Sequence, residues 1–218
     1  MSLLPPQARR PAVGLVVVCA VVVAVGAALY HGERRAGAFD DAVDDRLFTV
    51  FGRDRLLLYD LLHVADLAVV ATVLAVVVVT AVLRRRFDIA ALAALGPLAS
   101  ILITEVVLKP LVGRRYNSTL LSYPSGHTVG TVSECAALGV ILLGATGLTL
   151  ALRVALGVLL AAVSGIVMLA LIVDGFHYST DTVAGLCLSV GIVTLVALGL
   201  DGVTGTVTRH PVGASAQV

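Results

Sequence analysis

In DGFHYSTD (174–181), His177 and Asp181 stand four residues apart, which makes them neighbours on one side of a helix. A carboxylate so placed can fix the tautomer and orientation of the imidazole. The free ring nitrogen is then a nucleophile that can form a covalent phosphoenzyme with a phosphate ester. In YPSGH (123–127), Ser125 and Gly126 directly precede an apolar run. Exposed N–H groups at a helix start suit an anion, and Gly lets the backbone approach it closely. His127 follows at once and is suited to protonate a departing oxygen as general acid. In LKPLVGRR (108–115), Lys109, Arg114 and Arg115 offer fixed cations to a phosphate, Arg as a planar fork and Lys as a point charge. One cradle, one oriented nucleophile and one acid would make a phosphomonoesterase that needs neither metal nor other cofactor.

These residues need a scaffold, and the composition says which kind. The chain of 218 residues is 59% hydrophobic and only 13% charged, about half the charge of an ordinary soluble domain. A net charge of +1 with no clustered basic surface argues against a nucleic-acid partner. Of the fifteen Lys and Arg residues, Lys109 is the single Lys. Cys19, Cys135 and Cys187 lie far apart inside apolar runs and read as small packing residues, with neither a disulfide framework nor a zinc site.

Uncharged or nearly uncharged runs at 12–30, 89–108, 128–152, 154–173 and 182–200 each approach the ~20 residues a helix needs to cross hydrocarbon. A sixth, 67–83, is short alone and extends backward through 56–66, a stretch carrying Asp60, His63 and Asp66. The expected fold is therefore all-α, a polytopic bundle of six transmembrane helices. Residues 1–11 form a short cytoplasmic N-terminus, 12–200 one membrane domain, and 201–218, rich in Gly, Thr, Ser and Val, a mobile tail. The first run is longer than a signal-peptide core and is expected to be retained.

Counting crossings puts the end of helix three, the start of helix four and the link between helices five and six on one membrane face. The three polar segments should meet there. The cluster Arg84-Arg85-Arg86, hard against two helix ends, belongs on the cytoplasmic side and places the polar face outside the cell membrane.

Lys109 with its following Arg, Pro-Ser-Gly-His, and His-x3-Asp, spaced by membrane runs, resemble the type 2 phosphatidic acid phosphatase superfamily, the lipid phosphate phosphatases. The motifs span roughly 105–185, and Pro-Ser-Gly-His is the most specific of them. The resemblance implies hydrolysis of a lipid phosphate with His177 as nucleophile, Asp181 as its partner and His127 as proton donor. Lys109, Arg114 or Arg115, Ser125 and Gly126 would hold the phosphate. Two positions depart from the pattern. The first motif would place Arg and Pro where this chain has Tyr116 and Asn117. The third would place Ser-Arg where it has Ala170 and Leu171. Removing one charge-stabilising donor typically slows such a site by ~10²–10³.

Plainer readings stand beside these. Glu105 is one turn before Lys109 and is expected to pair with it. Asp174 is expected to mark a helix end, and Glu134 to be an acid buried in helix four. Asn117-Ser118-Thr119 matches a glycosylation acceptor, meaningful only in a eukaryotic secretory pathway. The partner implied is a lipid phosphate in the bilayer. The rival function is a lipid-phosphate binder or transporter that keeps the cradle without turnover.

Overall fold

A computed structural model describes residues 2–116 and 120–207, with side chains through 203. The expected sequon at 117–119 and the tail beyond 207 lie outside the described residues. The helices are α1 (Pro6–Leu29), α2 (Ala38–Phe51), α3 (Arg55–Leu61), α4 (Leu67–Leu83), α5 (Phe87–Leu102), α6 (Lys109–Val112), α7 (Gly126–Gly144), α8 (Leu150–Val173) and α9 (Ser179–Val207). A π-helical stretch, Ile103–Leu108, joins α5 to α6. Strands β1 (Arg115–Tyr116) and β2 (Leu120–Leu121) add a small antiparallel hairpin to an otherwise helical molecule.

Five helical segments are long and apolar enough to cross a membrane: α1, α5 with α6, α7, α8 and α9. The protein is a multi-pass membrane protein. The sixth expected span is not one straight helix. Residues 38–65 and α4 meet at a bend of 42°. Asp66 causes the break: its extended backbone ends the preceding turn and opens α4. Helix α2 carries Asp40, Asp41, Asp44 and Asp45 among its fourteen residues. Such a charge load is costly in lipid, so we read α2 as lying at the surface and α4 as the crossing piece.

Helix α9 packs on α1, α5 and α7 at the centre of the bundle. Leu92, Ala137, Val193 and Ala197 bury one shared core there. The approach of α9 to α7 requires Gly185, where a Cβ would come within 3.0 Å of the Thr128 side chain and 3.1 Å of the Ser125 carbonyl. Close packing of small residues is the usual adhesive between helices in lipid, where burial of apolar surface gives little drive. The outward faces stay apolar for the same reason: Val17, Val18, Val21 and Val25 of α1 are all exposed.

Helix α9 does not stop at residue 200. Residues 201–207, expected in the tail, continue the helix, and buried Asp201 ties down the N-terminus by accepting hydrogen bonds from Leu3 N at 2.6 Å and Leu4 N at 3.0 Å.

Candidate functional site

Local signals set each polar segment. Ser125 caps α7, its Oγ accepting from Thr128 N at 3.4 Å and from Thr128 Oγ1 at 3.1 Å. Gly126 and His127 are then the first two residues of that helix. Asp174 closes α8, and Gly175, at a φ of +72°, turns the chain back toward His177. The Ser125 amide donates to the Asp181 carbonyl at 3.0 Å, which clamps the start of α7 to the start of α9.

One cavity of about 350 Å³ opens where these pieces meet. Lys109, Tyr116, Ser122, Gly126, His127 and His177 all line it, beside Glu105 and apolar groups from α4 and α5. Lys109 Nζ donates to Glu105 Oε1 at 2.6 Å, the pairing expected from their spacing. Their proximity to α7 explains Gly126. A Cβ there would lie 2.7 Å from Glu105 Oε1 and 3.2 Å from Lys109 Nζ. The π-helical stretch just before Lys109 helps aim this turn, and such bulges often occur at functional positions.

His177 Nδ1 faces Asp181 Oδ2 at 3.7 Å, too long for a hydrogen bond, and this buried nitrogen has no other partner among the described residues. Asp181 itself is fully buried. Its Oδ1 accepts from Arg114 at 2.6 Å and its Oδ2 from Tyr178 N at 3.3 Å. A small rotation of the imidazole would complete an Nδ1–H donation to Asp181 and leave Nε2 free, the kind of contact that often tightens only when substrate is bound.

Arg114 departs from its expected place. It does not face the cavity. Its guanidinium is wholly buried, donating to Asp181, to Thr180 Oγ1 at 2.7 Å and to Asp40 Oδ2 at 2.5 Å. Tyr30 and Tyr178 cover it, their ring centres 4.1 and 4.4 Å away. Both terminal nitrogens are committed to carboxylates, which places the guanidinium behind Asp181 and away from the cavity. The Ser125 hydroxyl is likewise buried and engaged as a cap, so only its backbone neighbours reach the cavity. Arg115 sits in β1, half-buried, and does not line the cavity.

No family model and no curated protein matches the sequence. The structure does have a solved counterpart. The crystal structure of the first transmembrane PAP2 type phosphatidylglycerolphosphate phosphatase from Bacillus subtilis superposes with a TM-score of 0.70, at 15% identity, over 90% of this chain and 98% of that one. This chain has a PAP2-type membrane fold.

Within this PAP2-type fold, three residues escaped the sequence reading. Asp40 is fully buried and accepts from Arg114, from Ser179 Oγ at 3.0 Å, and from Thr180 N at 3.0 Å and Thr180 Oγ1 at 2.8 Å. It caps α9 from another helix, where a negative charge meets the positive end of the helix dipole. Asp44, one turn further on α2, accepts from Ser179 N at 3.2 Å. Their i, i+4 spacing was the available signal, and it was obscured by the other charges of the 31–55 segment. Ser122 is the third. Its hydroxyl is buried without a partner among the described residues, on the cavity wall, three residues before the Ser-Gly-His triplet.

Other expectations resolve around the cavity. Asp174 marks the end of α8 and accepts from Arg55 Nε at 2.6 Å. Leu171 packs with Ala65 and Val167, so an apolar contact occupies the position where the motif would put an arginine. Burial raises the Tyr116 phenol above its ordinary pKa, and the Asp44 and Asp181 charges add to it, so at neutral pH it remains a neutral donor. Among the described residues, no three His, Cys, Asp or Glu side chains gather to hold a metal ion.

Proposed function

We propose that the protein hydrolyses a phosphate ester of a lipid, entering from the bilayer, by histidine chemistry. The observation that carries this is the presence of His177 and His127 on one cavity, with Lys109 and the N-terminus of α7 beside them, in a PAP2-type fold. The phosphate would sit between Lys109 Nζ, the Tyr116 and Ser122 hydroxyls and the Gly126 backbone. His177 Nε2 attacks phosphorus and forms an N–P bond, while the P–O bond to the lipid alcohol breaks. His127 gives its proton to that oxygen, and the alcohol leaves in the membrane. Water then attacks phosphorus, His127 takes a proton from it, the N–P bond breaks and phosphate departs. Asp181 holds the His177 ring through Nδ1 and stabilises the positive charge it develops. Arg114 acts through Asp181 as a positioning residue.

The apolar groups lining the cavity, Leu67, Val70, Ile101 and Leu120, suit the start of an acyl or polyprenyl tail, which leaves phosphatidate-like and polyprenyl phosphate or diphosphate substrates in the class. The cavity lies at the membrane face opposite the Arg84–Arg86 turn. With that turn on the cytoplasmic side, the site faces outward from the cell membrane. The second reading is a lipid-phosphate binder without turnover. It is favoured by one feature, the closed Lys109–Glu105 pair, which leaves little free positive charge for a dianion.

Phosphate release from a lipid panel by purified protein in EDTA, beside His177→Ala, tests the proposal. Release that survives EDTA and vanishes in the variant supports it. Retained lipid-phosphate binding with no release from any lipid would give the binder precedence.

A further inference from the structure

A second cavity, of about 180 Å³, adjoins the first and shares His127 and Phe176 with it. Among the described residues no Lys or Arg lines it, so it is not built for a second phosphate. Two rings stand on its wall, Tyr59 and Phe176, with centres 6.5 Å apart and each about half exposed. Leu62 and Leu171 add apolar surface. The remaining groups are acceptors. Asp66 offers a carboxylate, which only accepts hydrogen bonds. His63 Nδ1 meets the Asp60 carbonyl at 2.9 Å, so that nitrogen carries the proton and Nε2 of the neutral ring is an acceptor. The Tyr59 ring meets His63 edge-on at 6.1 Å, which keeps aromatic and acceptor groups side by side.

A ligand for this cavity needs an apolar face for the rings and donors for Asp66 and His63. A sugar ring carries both in one rigid body. The C–H groups on its face suit the negative potential over an aromatic ring, and its hydroxyls donate from the edge. His127 gives the cavity its place in the reaction. In-line transfer puts the attacking and leaving atoms on opposite sides of phosphorus. His177 attacks within the first cavity, and His127, which protonates the leaving oxygen, stands on the border of the second. The alcohol released past His127 is therefore the group that meets Tyr59 and Asp66. Leu67, next to Asp66 in the chain, lines the first cavity and gives a tail attached to the ring an apolar path.

We propose that the cavity lined by Tyr59, His63, Asp66 and Phe176 is a subsite for a sugar ring, so that the preferred substrate is a glycolipid carrying a terminal phosphate monoester on its sugar. This rests on the hydrolase reading of the Lys109–His127–His177 cavity and narrows its substrate. The phosphoryl group passes to His177 Nε2 as the P–O bond to the sugar oxygen breaks, and His127 supplies the proton of the new hydroxyl. Water then cleaves the N–P bond. Inorganic phosphate is released, and the ring stays joined to its tail.

The test compares phosphate release from octyl glucoside 6-phosphate and octyl phosphate by the full-length protein in polyoxyethylene micelles, which contain no sugar. The expected result is a kcat/KM about tenfold higher for the sugar ester, the scale of one hydrogen bond to a charged acceptor. Tyr59→Leu and Asp66→Asn, both at exposed positions, should each shrink that ratio several-fold. An equal or higher kcat/KM for octyl phosphate in the wild type overturns the subsite and leaves the hydrolase reading standing. Loss by the same factor on both esters in Asp66→Asn also overturns it, since Asp66 would then act on His127 alone. A third ester, 2-aminooctyl phosphate, turned over faster than the sugar ester would give the cavity to an ammonium group and overturn it too. Calorimetric titration of the first two esters into His177→Ala separates the two readings. Tighter binding of the sugar ester there, with no release from either by the wild type, keeps the subsite and overturns the hydrolase. Failure of both esters to bind and to release phosphate overturns the two together.

Discussion

The region behind His177 and the region in front of it share Asp181 and are built on opposite terms. Behind it, Arg114 lies between Asp40 and Asp181 with no exposure at all, and the donors at the start of α9 take up the surplus negative charge. In front, His127 is exposed, His177 Nδ1 and the Ser122 hydroxyl lack partners among the described residues, and the walls are largely apolar. Polar groups left unsatisfied at a cavity wall are costly, and they are tolerable where a ligand completes them. The rear network can therefore be read as structure and the front as chemistry. Lys109 and Arg114, five residues apart, fall on either side of this division.

Substitutions can break or sharpen that division. The largest effect is expected from His177→Ala, which should lower turnover by ~10⁴ or more with little change in melting temperature, since it removes the attacking group from a site that works as a unit. Parallel turnover and thermal-melt measurements check it. Arg114→Ala should do the reverse, costing ~3–5 kcal/mol of stability by leaving two buried carboxylates unpaired. Arg114→Lys should recover only part, because an ammonium cannot serve Asp40 and Asp181 as a fork does. Thermal unfolding of both variants in micelles reads this out. If Arg114→Ala instead keeps its stability and only its affinity for phosphate falls, the division fails.

Gly126→Ala is expected to push the Glu105–Lys109 pair out of place and slow turnover by up to ~10², the scale of an ångström-sized misplacement. Glu105→Gln combined with Gly126→Ala should return part of that rate by relaxing the contact that a Cβ would meet. The smallest effect belongs to Ser125→Ala. Loss of the α7 cap should cost ~1 kcal/mol, read as a modest drop in melting temperature. A loss of turnover far beyond that would put Ser125 in front of His177 after all.

Much of this arrangement was readable from spacing and composition. Apolar runs of membrane length located the helices, though some ends moved, the run to 152 stopping at Gly144 and the run to 200 continuing to Val207, because a chain in lipid must satisfy its own backbone and has few alternatives to a helix. Counting those helices brought the three polar segments to one face. The pairing of Glu105 with Lys109 and the place of Asp174 at the end of α8 followed from local geometry. What escaped was longer in range. The charged 31–55 segment, set between apolar runs, folds in part as α2 and sends Asp40 to cap α9, with Asp40 and Ser179 139 positions apart in the chain.

The sequence by itself determined the presence and order of the apolar elements, and which short segments carry histidine, lysine and carboxylate on a common face. Those properties depend on hydrophobicity and on neighbours within a few turns. Only the tertiary structure decided which cation faces the cavity and which lies behind it, that Leu171 joins an apolar core, and that Tyr59 and Asp66 border a second cavity beside His127. A side chain's access to solvent or to a carboxylate is fixed by elements distant in the chain. Arg114 has an ordinary sequence context, and its role comes from Asp40 and Asp181, which reach it from α2 and α9.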